Sequence, residues 1–273
     1  MYTELVVPER LRWLAPVECE LVRLGRDGDG GYVLAAESLR RSKALISLGI
    51  ATEWSFDSEF LASKRGVEYI ACDRGTGFVV NLVSAARSVL KPSDWGNVTR
   101  SGRVAFRFLK LVPPAPFSNK RRFYRKWVRS AVVDQKRDIL FGSVFDSLRS
   151  RKGVLLKMDI EGGEYEIIPE IARIERQNPG TFTGLVMELH DILAREKELS
   201  SVMKQLLACF EIVHVHVNNC VPASGDFPDF IEVALAPKDW LRDRKRLSRP
   251  NHGLDSPNES ALPDVDLIFS TAN

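Results

Sequence analysis

From residue 43 onward the chain alternates short apolar runs with stretches whose apolar residues recur at helical spacing. The runs KALISLGI (43–50), VEYIACD (67–73), RVAFRFLK (103–110), GVLLKMD (153–159), FTGLVMELH (182–190), EIVHVHV (211–217) and DFIEVAL (229–235) are almost continuous in apolar, β-branched and aromatic residues. Such runs predict strands buried on both faces. EWSFDSEFLASKR (53–65), NLVSAARSVL (81–90), a segment near 169–177 and the segment 194–209 predict the helices between them. The result is an α/β chain with a mostly parallel sheet of about seven strands and helices on both faces. The last two strands leave no room for a crossover helix, so they should pair antiparallel.

The flanks read differently. Residues 1–42 form a leader segment that contains RLGRDGDGGYVLA (23–35), a strong turn signal between strand-like residues. Its turn, Asp29, Gly30, Gly31 and Tyr32, is either a plain hairpin turn or a flap over a ligand. Residues 43–238 make the main domain. From 239 to 273 the chain is polar and rich in breakers, which predicts a poorly packed extension.

Charge changes the picture only locally. The net charge of +3 is small, but residues 110–137 hold nine Lys or Arg and a single acid, with Phe123, Tyr124 and Trp127 interleaved. This basic insertion is a solvated charged segment, a docking surface for an anionic or lipid-linked substrate, or a peripheral membrane contact. No nucleic-acid module accompanies it, so nucleic acid is not expected as a partner. There is no long uncharged apolar span, and the N-terminus lacks the basic and apolar regions of a secretory signal; both features predict a cytoplasmic protein. Cys19, Cys72, Cys209 and Cys220 have no zinc or disulfide spacing and read as reduced thiols.

In an open parallel sheet, ligands bind beyond the carboxyl ends of the strands. Those ends here are Gly49, Asp73, Asp159, the segment Glu188 to Asp191, and His216 with Asn218 and Asn219. A glycine closing the first strand lets a ligand approach the backbone, and a carboxylate closing the second can accept from ribose hydroxyls. The loop GIATEW lacks the further glycines that a pyrophosphate needs. The pattern therefore predicts a nucleoside cofactor without phosphates.

SLGIATEWSFDSEF, VEYIACD, LLKMDIEGGEYEII, LVMELHD, VHVHVNNC and PDFIEVAL together resemble the FkbM-like S-adenosylmethionine-dependent methyltransferases. The resemblance covers roughly residues 20–236 apart from the basic stretch. It implies a Rossmann-like, seven-stranded class I methyltransferase fold with an antiparallel last strand. It also implies O-methylation of a sugar hydroxyl on a glycan or glycosylated metabolite. By position, Gly49 would face the methionine part of S-adenosylmethionine, Asp73 its ribose and Asp146 the adenine, with Ile50 and Glu53 in the adjoining loop. Asp159 would lie beside the transferring methyl group.

Removal of the acceptor proton needs a base or a metal. Asp159, Glu188 and His190 are the catalytic candidates, and together they could hold Mg²⁺ or another divalent cation. Glu161 or Glu164 could instead cap the following helix. His190 is the general-base candidate, since an unperturbed imidazole titrates near ~6.5; it could equally bond a neighbouring loop. His214 reads as a core residue, while His216, Asn218 and Asn219 either bind substrate hydroxyls or hold a loop. Two other functions stay open: a non-catalytic binding protein of the same fold, and a nicotinamide-dependent oxidoreductase, which the missing glycines oppose.

Overall fold

In the computed structural model, residues 2–75, 111–112, 120–220, 225–241, 244–250 and 252–270 are described. The elements are β1 (Tyr2–Val6), a 3-10 turn (Glu9–Leu14), β2 (Leu21–Leu24), β3 (Tyr32–Ala35), α1 (Ala36–Arg41), β4 (Ala44–Leu48), α2 (Ser55–Ser63) and β5 (Glu68–Cys72). They continue with β6 (Arg121–Tyr124), β7 (Trp127–Arg129), β8 (Asp138–Leu140), α3 (Phe141–Asp146), β9 (Val154–Met158) and α4 (Glu164–Gln177). The chain closes with β10 (Phe182–Leu189), α5 (Glu196–Leu206), β11 (Phe210–Val217), β12 (Ile231–Pro237) and β13 (Asp264–Ile268). The helix expected at 81–90 and the strand expected at 103–110 lie outside the described residues.

Seven strands form the central sheet in the order β11-β12-β10-β9-β4-β5-β6. All neighbours are parallel except β12, which runs antiparallel to both β10 and β11. Every residue of β4, β5, β9, β10, β11 and β12 is buried, as the continuous apolar runs require. Side chains alternate between two cores. Val154, Leu156 and Met158 of β9 pack with α3, α4 and α5 on one face, whereas Leu155 packs with α2 and the β2–β3 hairpin on the other.

Three features differ from the expectation. The edge strand β6 comes from within the basic stretch: Arg121 to Tyr124 pair with Tyr69 to Cys72. An edge strand is half solvated and tolerates charge, so its sequence carries little apolar signal. Second, α4 begins at Glu164 and not near Pro169, which sits inside it. The buried stripe Tyr165, Ile167, Ile168, Ile171 outweighs the single hydrogen bond that the proline removes.

Third, the tail is packed. β13 pairs in parallel with β1, and Leu267 and Phe269 are buried in the core. Its acids have partners: Asp255 binds His214 Nε2 at 2.8 Å, Asp264 binds His216 Nε2 at 3.0 Å, and Asp266 pairs with Arg249. A polar tail that meets buried histidines does not stay in solvent.

Candidate active site

The strand order reverses between β4 and β9, and there the loops leaving the two strands separate. A cavity of about 670 Å³ opens at this point. Its walls include Gly49 to one side, Cys72 and Asp73 at the end of β5, Asp159 to Gly163 beyond β9, and Lys126 to Arg129. This is the crevice in which doubly wound sheets bind ligands.

Gly49 turns the chain with φ +73°, and a Cβ there would overlap the carbonyl oxygen of Asp159. The two backbones touch, which only glycine permits. The loop is then tied to the second strand: Asp73 Oδ2 accepts from Ala51 N at 2.8 Å. The sequence pairing of Gly49 with Asp73 is thus realised around one cavity.

On the other side of the reversal, β9 delivers Asp159 and the turn Ile160–Gly163 leads into α4. Glu161 takes φ +55° in this turn. Glu164 is wholly buried and orders it, its Oε1 accepting from Ile160 N at 2.8 Å. The same oxygen stands 3.2 Å from His190 Nδ1. His190 follows β10 and is held through its own carbonyl, which accepts from the Tyr165 hydroxyl. Its Nε2 faces Asp159 Oδ1 at 3.8 Å, Glu161 Oε2 at 3.7 Å and Glu188 Oε1 at 3.7 Å. The structure therefore brings Asp159, Glu188 and His190 together, as the strand-end argument expected, and adds Glu161 and Glu164.

Burial raises the Asp159 carboxyl above the ordinary range, with Lys157 and His190 working against that rise. Burial also raises Glu188, and the neighbouring carboxylates of Asp159 and Glu232 add to it. For His190, burial opposes the charge, but Glu164, Glu188 and Asp159 outweigh it and hold the imidazolium well above its usual range. Beside these acids the imidazole holds its proton more tightly than a free one, which weakens the general-base role expected for His190.

Tyr32, the last residue of the glycine-rich turn, reaches this centre. Its hydroxyl lies 3.4 Å from Asp159 Oδ2 and its ring stands 5.0 Å from the Lys157 ammonium. Lys157 is itself buried and donates to Gly49 O at 3.2 Å. The rest of the turn docks on the start of α2, where Arg26 N donates to Ser55 Oγ at 3.0 Å and Gly25 N to Glu59 Oε2 at 2.7 Å. The turn thus joins β2 to β3 as a hairpin seated on α2.

Other expected residues lie elsewhere. Asp146 is outside the cavity wall, exposed and ion-paired with Arg151 at 3.2 Å. Ile50 is buried in the core under α2. Glu53 accepts from Ser55 N at 2.8 Å and pairs with Arg26 at 3.4 Å, facing a separate hollow. His216 is consumed by Asp264 and by Glu232 at 3.5 Å. Asn219 accepts from Glu259 N at 2.8 Å and donates to the carbonyls of Glu259 and Pro263 at 3.1 and 3.2 Å. Both hold the tail and are not presented to a substrate. Asn218 acts on the site indirectly, donating to Glu188 Oε1 at 2.8 Å.

Trp127, Val128 and Arg129, from the basic stretch for which a docking surface was one reading, line the cavity, as does Arg74, which the sequence did not mark. Arg74 follows Asp73 and stacks on Trp127 with its guanidinium 5.8 Å from the ring. Among the described residues no helix is long and apolar enough to cross a membrane.

No protein-family model and no curated protein matches the chain. Among solved structures it is similar to a methyltransferase FkbM from Methylobacillus flagellatus KT, with 11% identity and a TM-score of 0.39 over 71% of this chain and 44% of that one. It is also similar to the METTL16 MTase domain, with 10% identity and a TM-score of 0.33 over 71% and 59% of the two chains. A third is the precorrin-6y C5,15-methyltransferase from Geobacter metallireducens GS-15, with 12% identity and a TM-score of 0.33 over 74% and 86%. The matched region thus spans about half of the first two. At these identities and scores the likenesses say nothing of reaction or substrate; the α/β sheet described above is the chain's own evidence of its fold.

Proposed function

We propose that the chain is an S-adenosylmethionine-dependent methyltransferase that methylates a sugar hydroxyl of a glycan or glycosylated metabolite. The supporting observation is the cavity at the strand-order reversal, walled by the Gly49 loop and Asp73 on one side and by Asp159 on the other. Its volume of about 670 Å³ suits a nucleoside-sized ligand. The residues fit the cofactor: Asp73 can accept from ribose hydroxyls, Gly49 leaves the backbone open to close approach, and Trp127 and Val128 supply an apolar wall. The loop Gly49-Ile50-Ala51-Thr52 has no further glycine to cradle a pyrophosphate, which tells against a dinucleotide.

S-adenosylmethionine, when bound, supplies an electrophilic methyl group. The protein's part is to orient the acceptor hydroxyl and take its proton. Asp159 is the acceptor of choice, because burial brings its carboxyl nearer to neutral pH and Tyr32 fixes one of its oxygens. His190 stands beside it, with Nε2 3.8 Å from Asp159 Oδ1. Lys126 and Arg129 line the same cavity, which favours an acceptor carrying an anionic group, including a lipid-linked one.

The test is calorimetric titration with S-adenosylmethionine and with NAD⁺, followed by incubation of labelled S-adenosylmethionine with glycan and cell-envelope extracts. Binding of the first ligand and release of S-adenosylhomocysteine are expected. Failure to bind it sinks the proposal. Binding without turnover in any extract leaves the alternative, a binding protein.

A further inference from the structure

We infer that the segment from β7 to β8 is a peripheral docking surface for an anionic phospholipid bilayer, and that it holds the mouth of the cavity against the headgroups. Val128 of β7 lies in the core and Ile139 of β8 packs against it. The two strands pair in parallel, so by alternation Trp127, Arg129 and Leu140 face outward. Trp127 is 46% exposed, and Leu140 is exposed as well. The connection between the strands adds Val132 and, at 92% exposure, Val133. Four of the six large exposed hydrophobic side chains among the described residues thus fall within residues 127–140. Scattered singly they would be ordinary, but gathered in one place they mark a contact surface. Val133 is also held in place, because its N–H and that of Asp134 donate to the buried carboxylate of Asp138 at 3.0 and 2.8 Å.

Charge decides what covers this surface. From residue 120 to 137 the chain has eight Lys or Arg against one acid, Asp134. Asp134 pairs with Arg137 at 3.4 Å, and Glu166 of α4 pairs with Arg129 at 3.4 Å. Arg125, Lys126 and Lys136 are left without an ion pair among the described residues. A second copy of the chain would set these cations against one another, and a small dissolved anion has no use for an apolar tip. A bilayer with anionic headgroups satisfies both features: the valines and the tryptophan enter the headgroup boundary while the basic residues meet phosphate. Trp127, Arg129, Val133 and Arg137 surround one hollow of about 580 Å³, and Trp127 and Arg129 also wall the cavity. The docking surface and the cavity therefore share a wall, which brings the cavity to the level where a lipid-linked acceptor would carry its sugar.

In bringing an acceptor to the cavity this inference rests on the methyltransferase reading; bilayer binding itself does not. The test is co-sedimentation of the whole chain with vesicles of phosphatidylcholine alone and of phosphatidylcholine with phosphatidylglycerol, with S-adenosylmethionine affinity measured in parallel. Binding to the anionic vesicles only is expected, and it should weaken as salt is raised. Val133→Glu should lower vesicle affinity about tenfold or more, and Lys136→Gln about fivefold. Both are surface changes, so the melting temperature should stay unchanged and S-adenosylmethionine affinity should stay within about twofold. No binding to anionic vesicles, or equal binding by Val133→Glu and the wild type, overturns the docking surface. Capture of an RNA oligomer in place of vesicles overturns it too, as does self-association that Val133→Glu abolishes in a chain that ignores vesicles. Vesicle binding by a chain that does not bind S-adenosylmethionine overturns the methyltransferase reading and leaves the docking surface standing.

Discussion

Gly49 and Asp159 meet backbone to backbone across the reversal of the sheet, so that the loop after the first parallel strand rests directly on the residue that ends the fourth. A side chain on Gly49 would have to displace the Asp159 carbonyl, and its φ of +73° is strained for any other residue. Gly49→Ala should cost about 3 kcal/mol or more in chemical denaturation. It should also abolish S-adenosylmethionine binding. A variant as stable as the wild type would show that the loop is free to move away.

Asp73→Asn tests the ribose contact. The variant keeps an oxygen that can accept from Ala51 N but loses the charge that strengthens hydrogen bonds to a ligand. S-adenosylmethionine affinity should fall about tenfold to a hundredfold, equivalent to ~1.5–3 kcal/mol. Calorimetry reads this directly, and unchanged affinity places the ribose elsewhere.

His216 makes stability depend on pH. Burial opposes its charge, but Asp264 and Glu232 outweigh burial and raise the folded value to about 10. The unfolded value is near ~6.5. A raised folded pKa contributes stability that is complete below the unfolded value and is lost as pH rises through the folded one. The melting temperature should therefore fall progressively between about pH 6.5 and 10. His216→Gln should lower it at pH 6 and flatten that slope; an unchanged slope means the charge is held elsewhere.

Asn219→Ala separates tail-holding from substrate binding. The side chain links the end of β11 to residues 259–263 by donating to carbonyls and accepting from Glu259 N. Its loss should cost about 2 kcal/mol, through buried polar groups left unpaired. Limited proteolysis should then cut the tail sooner, while S-adenosylmethionine affinity stays within about twofold. Loss of affinity with an intact tail would return Asn219 to the ligand site.

The central strands were legible because both of their faces are buried, so that almost every position is apolar. Gly49, Asp73 and Asp159 were legible for a related reason: an apolar run that stops at one polar or flexible residue marks the strand end where ligands bind. β6 was not legible, since Arg121 and Arg122 lie on a half-solvated edge where charge is tolerated. For Trp127 to Arg129 the basic, aromatic stretch was visible, but not its place on the cavity. Their place on the cavity follows from the path of the chain after β6, and no local spacing encodes that path. His216 and Asn219 sit at the correct edge of the sheet, but only the fold of the tail decides whether such groups meet a ligand or another part of the protein.

The pairing of β1 with β13 joins Tyr2 to Asp264, so two strands far apart in the sequence lie side by side. On a ribosome the sheet's apolar strands are all complete before β13 exists. Until then β1 exposes an unpaired edge, and His214 and His216 lack their acids. Closure of so long a loop is a late and slow event. The two buried histidines of β11 thus acquire their acidic partners only when the tail has folded back, a dependence separate from anything its residues do at the cavity.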